Sequence, residues 1–570
     1  MKKVVSFSLA LLLIVSIFFC APITANAATA VNNNCTYYNY DNTGDYDYPW
    51  NWSSPIYSYL SVCNNGDLMR FQAIQSYGES LVMFAEFFDS NFNFKYHIPI
   101  KNELPLFGGF YSDGNNYYIL SGQNNPDEDN SVEVFRLTKY DLSWNRISAC
   151  PITDDNTTIP FDAGTPRFTH SGNQLLIRTD HEMYTASDGK NHQANVTLQI
   201  NTSNMTLVSK RTCVLNSGYG YSSHSFNQFI KLDGNKIVAA DHGDAYPRTL
   251  ALFIYDNELS SSGLGDYPRT QCLSFLDIPG QIGANYTGCT MGGFEVSNSN
   301  YIIAGTKINL NDFENSTTKN VFISYIPKNS TTATVKMLTS YAEGTASATT
   351  PHFVKLSNNK FMVLWERENK THYVLIDENG NKLSSEVTID SRLSDCPPVI
   401  YNNKLVWYTQ SYSILTFNKI DLNDISKHQK SEINYGCEFV VKSTTDDTAN
   451  VECKKCKKTS SEKIPEIMFR FYNDVTYSGT TCHVGYNSDF DLYLDDAYKT
   501  YKIISYNQKT ATIKLTNAAI FSDFIIEIED TSIASFTNPD YNSLVIKPIK
   551  NGKTKLTITS SLSPSLKWTF

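Results

Sequence analysis

One pattern recurs along residues 57 to 427 of this 570-residue chain: an aromatic or apolar strand start, a Gly/Asn/Ser turn, then an apolar run. The first clear copies run from Gly108-Gly109-Phe110 through Asn115-Asn116 to Tyr117–Leu120, and from Thr165-Pro166-Arg167-Phe168 through Gly172-Asn173 to Leu175–Ile177. Next come Asn227-Gln228-Phe229 with Gly234-Asn235 and Ile237–Ala240, and Gly292-Gly293-Phe294 with Ser299-Asn300 and Tyr301–Ala304. The last pair are Pro351-His352-Phe353 with Asn358-Asn359 and Phe361–Trp365, and Pro397-Pro398-Val399 with Asn402-Asn403 and Leu405–Tyr408. A weaker first copy spans Met69-Arg70-Phe71, Gly78 and Leu81–Phe84. Turn residues of this kind between β-branched and aromatic runs signal hairpins. Between most of them lie two further strand-like runs, such as Val132–Tyr140 with Arg146–Cys150.

Four strands in each of seven units of about 53 residues is the arithmetic of a β-propeller blade. The expected fold is all-β: a propeller of seven blades over residues 57–427, a six- or eight-bladed ring or an array of sandwiches being the alternatives. The last unit runs out near Leu422 with three strands. Tyr57–Val62 is expected to supply its fourth and close the ring, which would remove exposed edges. Composition agrees. Residues are 13% aromatic and only 18% charged, with a net charge of −10. That excludes disorder, a basic nucleic-acid binder, and a collagen or coiled coil.

The first 27 residues read as a signal peptide. Lys2 and Lys3 precede the apolar stretch Val4–Cys20, and Ala25-Asn26-Ala27 is an A-x-A exit. The apolar stretch is nearly long enough to span a bilayer, but the small-residue exit favours cleavage after Ala27. Losing two lysines takes the charge from −10 to −12. No later stretch is long and apolar enough to span. The mature chain, opening with an extension at 28–56, is therefore expected to be secreted, either free or cell-surface associated, and monomeric. Export permits disulfides. Without Cys20, eleven of the 12 cysteines remain. Cys272–Cys289, Cys35–Cys63 and Cys150–Cys213 are candidate bridges, and buried thiols are the alternative.

Residues 428–466 read as a linker followed by a small Cys-x-x-Cys module: Cys437, then Val451-Glu452-Cys453-Lys454-Lys455-Cys456, then Glu462-Lys463-Ile464-Pro465. About 30 residues here resemble a module that recurs in surface proteins of Gram-positive anaerobes. Lys457 stands where that module often has glycine. Two thiolates on one tight turn suit tetrahedral zinc. Cys437, Cys453, Cys456 and Cys482 (or His483) would complete four ligands. A disulfide within the motif, or bridges Cys437–Cys453 and Cys456–Cys482, would use the same sulfurs. Residues 467–570 contain Asp530-Thr531-Ser532-Ile533-Ala534-Ser535 and Ile549-Lys550-Asn551-Gly552-Lys553-Thr554-Lys555-Leu556-Thr557-Ile558. This pair resembles the hallmark of a bacterial Ig-like domain of group 2, which implies a β-sandwich spacer or adhesive module without chemistry of its own.

Candidate chemistry gathers in the repeat. Five of the 10 histidines lie between 170 and 242. Propeller topology sends the loop between strands two and three, and the entry to the next blade, to one rim. His181, Glu182 and His192 fall in such a loop, His224 and Gln228 at such an entry, and Asp241, His242, Asp244 and Arg248 at the end of the next strand. Arg167 and His352 precede the repeat's Phe. All are expected at one mouth, where His and carboxylates would suit a divalent metal or acid–base work with Arg fixing an anion. Loop-capping roles would use the same residues. Nucleophile elbows, phosphate loops and HExxH helices are absent. The expected function is recognition of a polysaccharide or cell-surface polymer, with Trp50, Trp52, Trp365 and Trp407 as aromatic candidates. The rival is an enzyme at the histidine mouth: a metal-dependent polysaccharide lyase, a hydrolase or a group-transfer enzyme.

Overall fold

The computed structural model describes residues 40–43, 54–75, 81–265 and 267–435 and, after 438, a set of strands with adjoining turns. The signal peptide, Cys35, Trp50, Trp52, Cys437 and Cys456 lie outside the described residues, as does the side chain of Cys482. The chain divides into two compact units, Met1–Tyr435 and Gly436–Phe570. No helix among the described residues is long and apolar enough to cross a membrane.

The first unit is a β-propeller built from antiparallel meanders. The first sheet pairs Ser58–Val62, Leu68–Ile74, Val82–Phe88 and Phe94–Ile100 in chain order. The second does the same with Leu106–Ser112, Tyr117–Gly122, Phe135–Tyr140 and Arg146–Ile152. Two further four-stranded sheets run from Cys289–Val296 to Thr334–Met337 and from His352–Ser357 to Val387–Ile389. The last sheet carries Val399–Tyr401, Lys404–Tyr412, Ile414–Asp421 and His428–Asn434. Between the second sheet and residue 289 the pattern changes. Two meanders, Arg167–Ser171 to Thr206–Arg211 and Ser223–Asp233 to Thr270–Asp277, are joined by the single pairing Ala194↔Ser223 and, with the short strand Ile159–Pro160 on Gln174–Thr185, make one nine-stranded sheet. Seven separate blades were expected; the pairing gives five separate blades and this fused one. The cause is strand length. Gln174–Thr185 and Asn191–Asn201 extend to 12 and 11 residues, so their ends overrun the usual rim and meet the next meander.

Local chemistry explains the hairpins. Gly172 takes φ +53° between Ser171 and Gln174, which pair across the turn. Asn402 and Asn403 both take positive φ, 48° and 56°, between the paired Tyr401 and Lys404. Asn is the non-glycine residue that tolerates this best. The core lies between neighbouring sheets, and central strands are buried on both faces, as Tyr117–Gly122 is throughout. Apolar clusters join first to second sheet (Phe71, Phe110, Trp144) and last to first (Phe88, Tyr408, Phe417), so the ring closes on itself.

Closure differs from the sequence expectation. Ser58–Val62 is the inner strand of the first sheet, folded through Gly66 (φ +83°) onto Leu68–Ile74. The segment around Gly78 therefore joins the second and third strands of that sheet, not the first two. The last sheet has its own fourth strand, His428–Asn434, seven residues beyond the expected boundary at 427. Its polar sequence read as linker because it is an exposed edge, where charge discourages further pairing. The N-terminal strand Tyr40–Asp41 adds to the last sheet instead, pairing with Tyr412 and Ser411.

In the second unit Phe439–Thr444, Thr448–Cys453 and Thr459–Lys463 form one three-stranded sheet. Lys457, where the resembling module favours glycine, takes φ +62° and donates its N–H to Cys453 O at 3.0 Å. A five-stranded sheet runs in the order Asp489–Leu492, Ile467–Tyr472, Ala511–Leu515, Ser543–Pro548, Ala534–Asp540. The two hallmark stretches come together: Asp530 N donates to Thr554 Oγ1 at 2.8 Å, and Glu529 N to Lys555 O at 2.9 Å.

Candidate functional site

The innermost strands of the propeller enclose a cavity of about 600 Å³. Its wall comes from the repeat's own strand starts: Arg167-Phe168, Asn227, Phe229–Lys231, Gly292–Glu295, His352–Lys355 and Pro397–Ile400. Thr165, Thr350, Asp395 and Ile56 line it too. The Arg167 guanidinium sits over the Phe229 ring, 4.5 Å from its centroid. His352 is buried and its Nε2 contacts Ser394 O at 2.8 Å; burial, with the Arg167 charge nearby, holds its pKa down to about 4. Asp395 accepts from the Tyr57 N–H at 2.8 Å through Oδ2, and burial lifts its pKa to about 6. Lys231 pairs with Glu295 at 3.0 Å, while Lys355 Nζ donates to Val296 O at 2.7 Å.

Of the candidate mouth residues, Arg167 and His352 reach this cavity. The others lie in strands rather than in the expected loops, except Arg248, which stands between Lys236–Ala245 and Thr249–Glu258. His181 and Glu182 belong to Gln174–Thr185, His224 and Gln228 to Ser223–Asp233, and Asp241, His242 and Asp244 to Lys236–Ala245. Each histidine has its own partner. His181 is fully buried, with Nδ1 2.6 Å from Thr157 Oγ1. His242 is buried against Phe226, with Nε2 2.9 Å from Thr287 Oγ1 and 3.8 Å from Cys289 Sγ. His192 pairs with Asp188 at 3.0 Å on the surface. His224 Nδ1 stands 3.0 Å from the buried Asp244 Oδ1, and that carboxylate raises its pKa. Glu182 Oε1 accepts from Thr158 Oγ1 at 2.8 Å. Gln228 accepts from Thr165 N, and Arg248 donates to the carbonyls of Pro279, Ala284 and Tyr286, clamping that loop. Among the described residues no group of three or more His, Cys, Asp and Glu could hold a metal ion.

Burial holds the pKa of both His181 and His242 down to about 3, from the ordinary 6.5. The unfolded chain therefore takes up protons first as pH falls. Stability is full above pH 6.5 and falls toward pH 3, at about 1.4 kcal/mol per pH unit for each histidine. The variant His242→Gln keeps a polar partner for Thr287 but does not titrate. Urea unfolding of it should lose about 2 kcal/mol less than the parent between pH 7 and 5; equal losses would refute the neutral buried state.

Charged residues that the sequence reading missed form a buried polar cluster. Arg178 Nε and Nη2 donate to Asp241 Oδ1 and Oδ2, both at 2.7 Å. Its other protons go to Thr197 Oγ1, Tyr255 OH and Gly220 O at 2.8, 3.0 and 2.9 Å. Asp241, expected at the mouth, is thus the anchor of a buried ion pair spanning the two fused meanders. Beside it Gln193 Nε2 donates to Asp180 Oδ2 at 2.5 Å, and burial lifts Asp180 well above the usual carboxylate range. Gly164 makes room for it: a Cβ there would stand 1.8 Å from Asp180 Oδ1. The available signal was a charged residue inside an apolar strand, as in Ile177-Arg178-Thr179.

Trp365 and Trp407 are fully buried, donating Nε1 to Tyr341 OH and Arg392 O, and cannot stack on a ligand. Cys272 and Cys289 are not bridged, nor are Cys150 and Cys213, and Cys63 is a free thiol.

No family model matches the chain, and no curated protein does. Among solved structures it is similar to prolyl oligopeptidase B from Galerina marginata, at 8% identity and a TM-score of 0.34, covering 89% of this chain and 56% of that one. It thus spans little more than half of that protein's length. It is also similar to the Dos1 propeller (10% identity, TM-score 0.35, 73% of this chain and 95% of that one). A third likeness is to the hemagglutinin-neuraminidase of parainfluenza virus 5 (8%, TM-score 0.31, 64% and 98%). These likenesses are too remote to carry function.

Proposed function

We propose that the chain is a secreted binding protein whose propeller takes a carbohydrate polymer into its central cavity. In this reading the nine-stranded sheet counts as two blades, making seven, and residues 467–570 form an Ig-like spacer. The observation that carries it is the cavity itself. At about 600 Å³ it is of ligand-pocket size, and it mixes apolar wall (Ile56, Phe168, Val399) with convergent polar groups (Arg167, Asn227, Asp395). The enzyme reading rested on histidines that would share a ligand, and their separate partners leave it without support.

A glycan array with the full chain tests this, followed by two variants. Val354→Trp fills the cavity from its wall. His192→Ala changes the outer rim. Binding should fall about tenfold or more in the first and stay unchanged in the second. Loss in His192→Ala with binding retained in Val354→Trp would move the site to the rim. No retained glycan at all would remove the carbohydrate reading.

A further inference from the structure

We infer that the cavity selects an anionic saccharide, a short run of carboxylated sugar units gripped by Arg167 at one level and Lys355 at another. The inference rests on the cavity reading above and adds the ligand's charge. The repeat fixes the two levels. Arg167 and His352 each immediately precede the Phe of their strand, Phe168 and Phe353, whereas Lys231 and Lys355 each follow theirs by two residues. Three residues of extended strand separate His352 from Lys355, which is about 10 Å. The backbone positions that carry the cations thus stand at two levels of the cavity wall, a spacing that suits two anionic groups on one oligomer better than one on a monosaccharide.

Charge balance gives the sign. Among the described residues, three cations line the cavity, Arg167, Lys231 and Lys355, against two carboxyl groups, Glu295 and Asp395. Glu295 is neutralised by Lys231 at 3.0 Å. Asp395 turns one oxygen to the Tyr57 N–H. Among the described residues Lys355 is tied to a backbone carbonyl, Val296 O, which carries no countercharge. The cavity is therefore a positive site in a chain of net charge −10. Such a site draws an anion against the surrounding field only when the ligand's charge enters it. The planar guanidinium of Arg167, 4.5 Å from the Phe229 ring centroid, matches a carboxylate through two parallel N–H bonds. Lys355 acts as a point charge.

The test uses the full chain and isothermal titration with tetragalacturonate, its fully methyl-esterified form and a sulfated tetrasaccharide that carries no carboxylate. The acid should bind about tenfold or more tightly than its ester. Arg167→Gln and Lys355→Gln should each erase about tenfold of acid affinity and leave the ester unchanged. Lys355 is half-exposed, so its variant keeps the test alive if Arg167→Gln does not fold. Arg167→Lys should restore charge but not the paired geometry, recovering part of the loss. Equal binding of acid and ester overturns the inference while leaving the carbohydrate reading standing. Preference for the sulfated probe overturns the carboxylate assignment. If none of the three probes binds while the array shows neutral glycans in the cavity, the charge selection is wrong. If no saccharide of any kind binds, the underlying reading falls with it.

Discussion

Replacing Asp241 with asparagine should cost the propeller about 3–5 kcal/mol, measured by urea unfolding, because it strands a buried cation. Arg178 is 1% exposed and Asp241 fully buried. All five guanidinium protons have acceptors, drawn from both fused meanders and the loop at Gly220. Removing Asp241's charge leaves three neutral acceptors around a full positive charge in a low-dielectric interior. Arg178→Met should cost a similar amount for the opposite reason. Asp241 would keep the Asn195 amide but lose its countercharge. The double variant Arg178→Met with Asp241→Leu removes both charges and should recover most of the loss, since an ion pair replaced whole by apolar side chains is often neutral. A double variant as unstable as either single one would mean that the pair contributes by shape and not by charge.

The strand pattern was legible from the chain because hairpin chemistry is local. Asn402-Asn403 and Gly172-Asn173 announce their turns through backbone conformations that few residues accept, and the apolar runs beside them follow. Closure was not legible, because it depends on which strand a distant segment reaches. Tyr57–Val62 is equally apolar whether it ends the ring or begins it, and only the turn through Gly66 decides. The histidine mouth misled for a related reason. Sequence placed His181, His224 and His242 at strand ends, where a loop was reasonable. The strands run on past those ends, so the side chains enter a packed sheet and find single partners such as Thr157 and Thr287. Arg167 and His352 line the cavity because they sit beside the repeat's Phe, whose position the repeat itself fixes. The buried ion pairs had a signal that was passed over. Arg70 between Met69 and Phe71, Glu86 between Ala85 and Phe87, and Arg178 after Ile177 are charges inside apolar strands. Such charges must find partners.

Arg70→Met should open the ring between its first and last sheets and lower stability by about 3–5 kcal/mol. Arg70 and Glu86 are both fully buried, and Nη1 donates to Glu86 Oε2 at 2.7 Å. Both belong to the first sheet, but their remaining partners do not. Arg70 Nη2 donates to Gln410 Oε1 at 2.5 Å and to Tyr40 OH, and its guanidinium lies 4.8 Å from the Tyr408 ring centroid. Tyr435 OH donates to Glu86 Oε2 at 2.8 Å, and Tyr408 OH to Gln72 Oε1 at 2.7 Å. Gln410, Tyr408 and Tyr435 come from or adjoin the last sheet, and Tyr40 from the N-terminal strand that adds to it. The pair is therefore the centre of a polar latch across the seam where the propeller's first and last sheets meet. Methionine in place of Arg70 leaves Glu86, among the described residues, with the Tyr435 hydroxyl alone in a site whose burial already pushes its pKa up. Hydrogen exchange locates the damage. Amides of Leu68–Ile74 and Lys404–Tyr412 should lose protection first, while Cys289–Val296 and Asn300–Lys307, away from the seam, keep theirs. Tyr40→Phe should do the same more weakly, since it removes one acceptor and leaves the pair intact, at about 1–3 kcal/mol for the partner left unsatisfied. Uniform loss of protection around the ring in Arg70→Met would show that the seam has no stability of its own and that the propeller unfolds as one cooperative body.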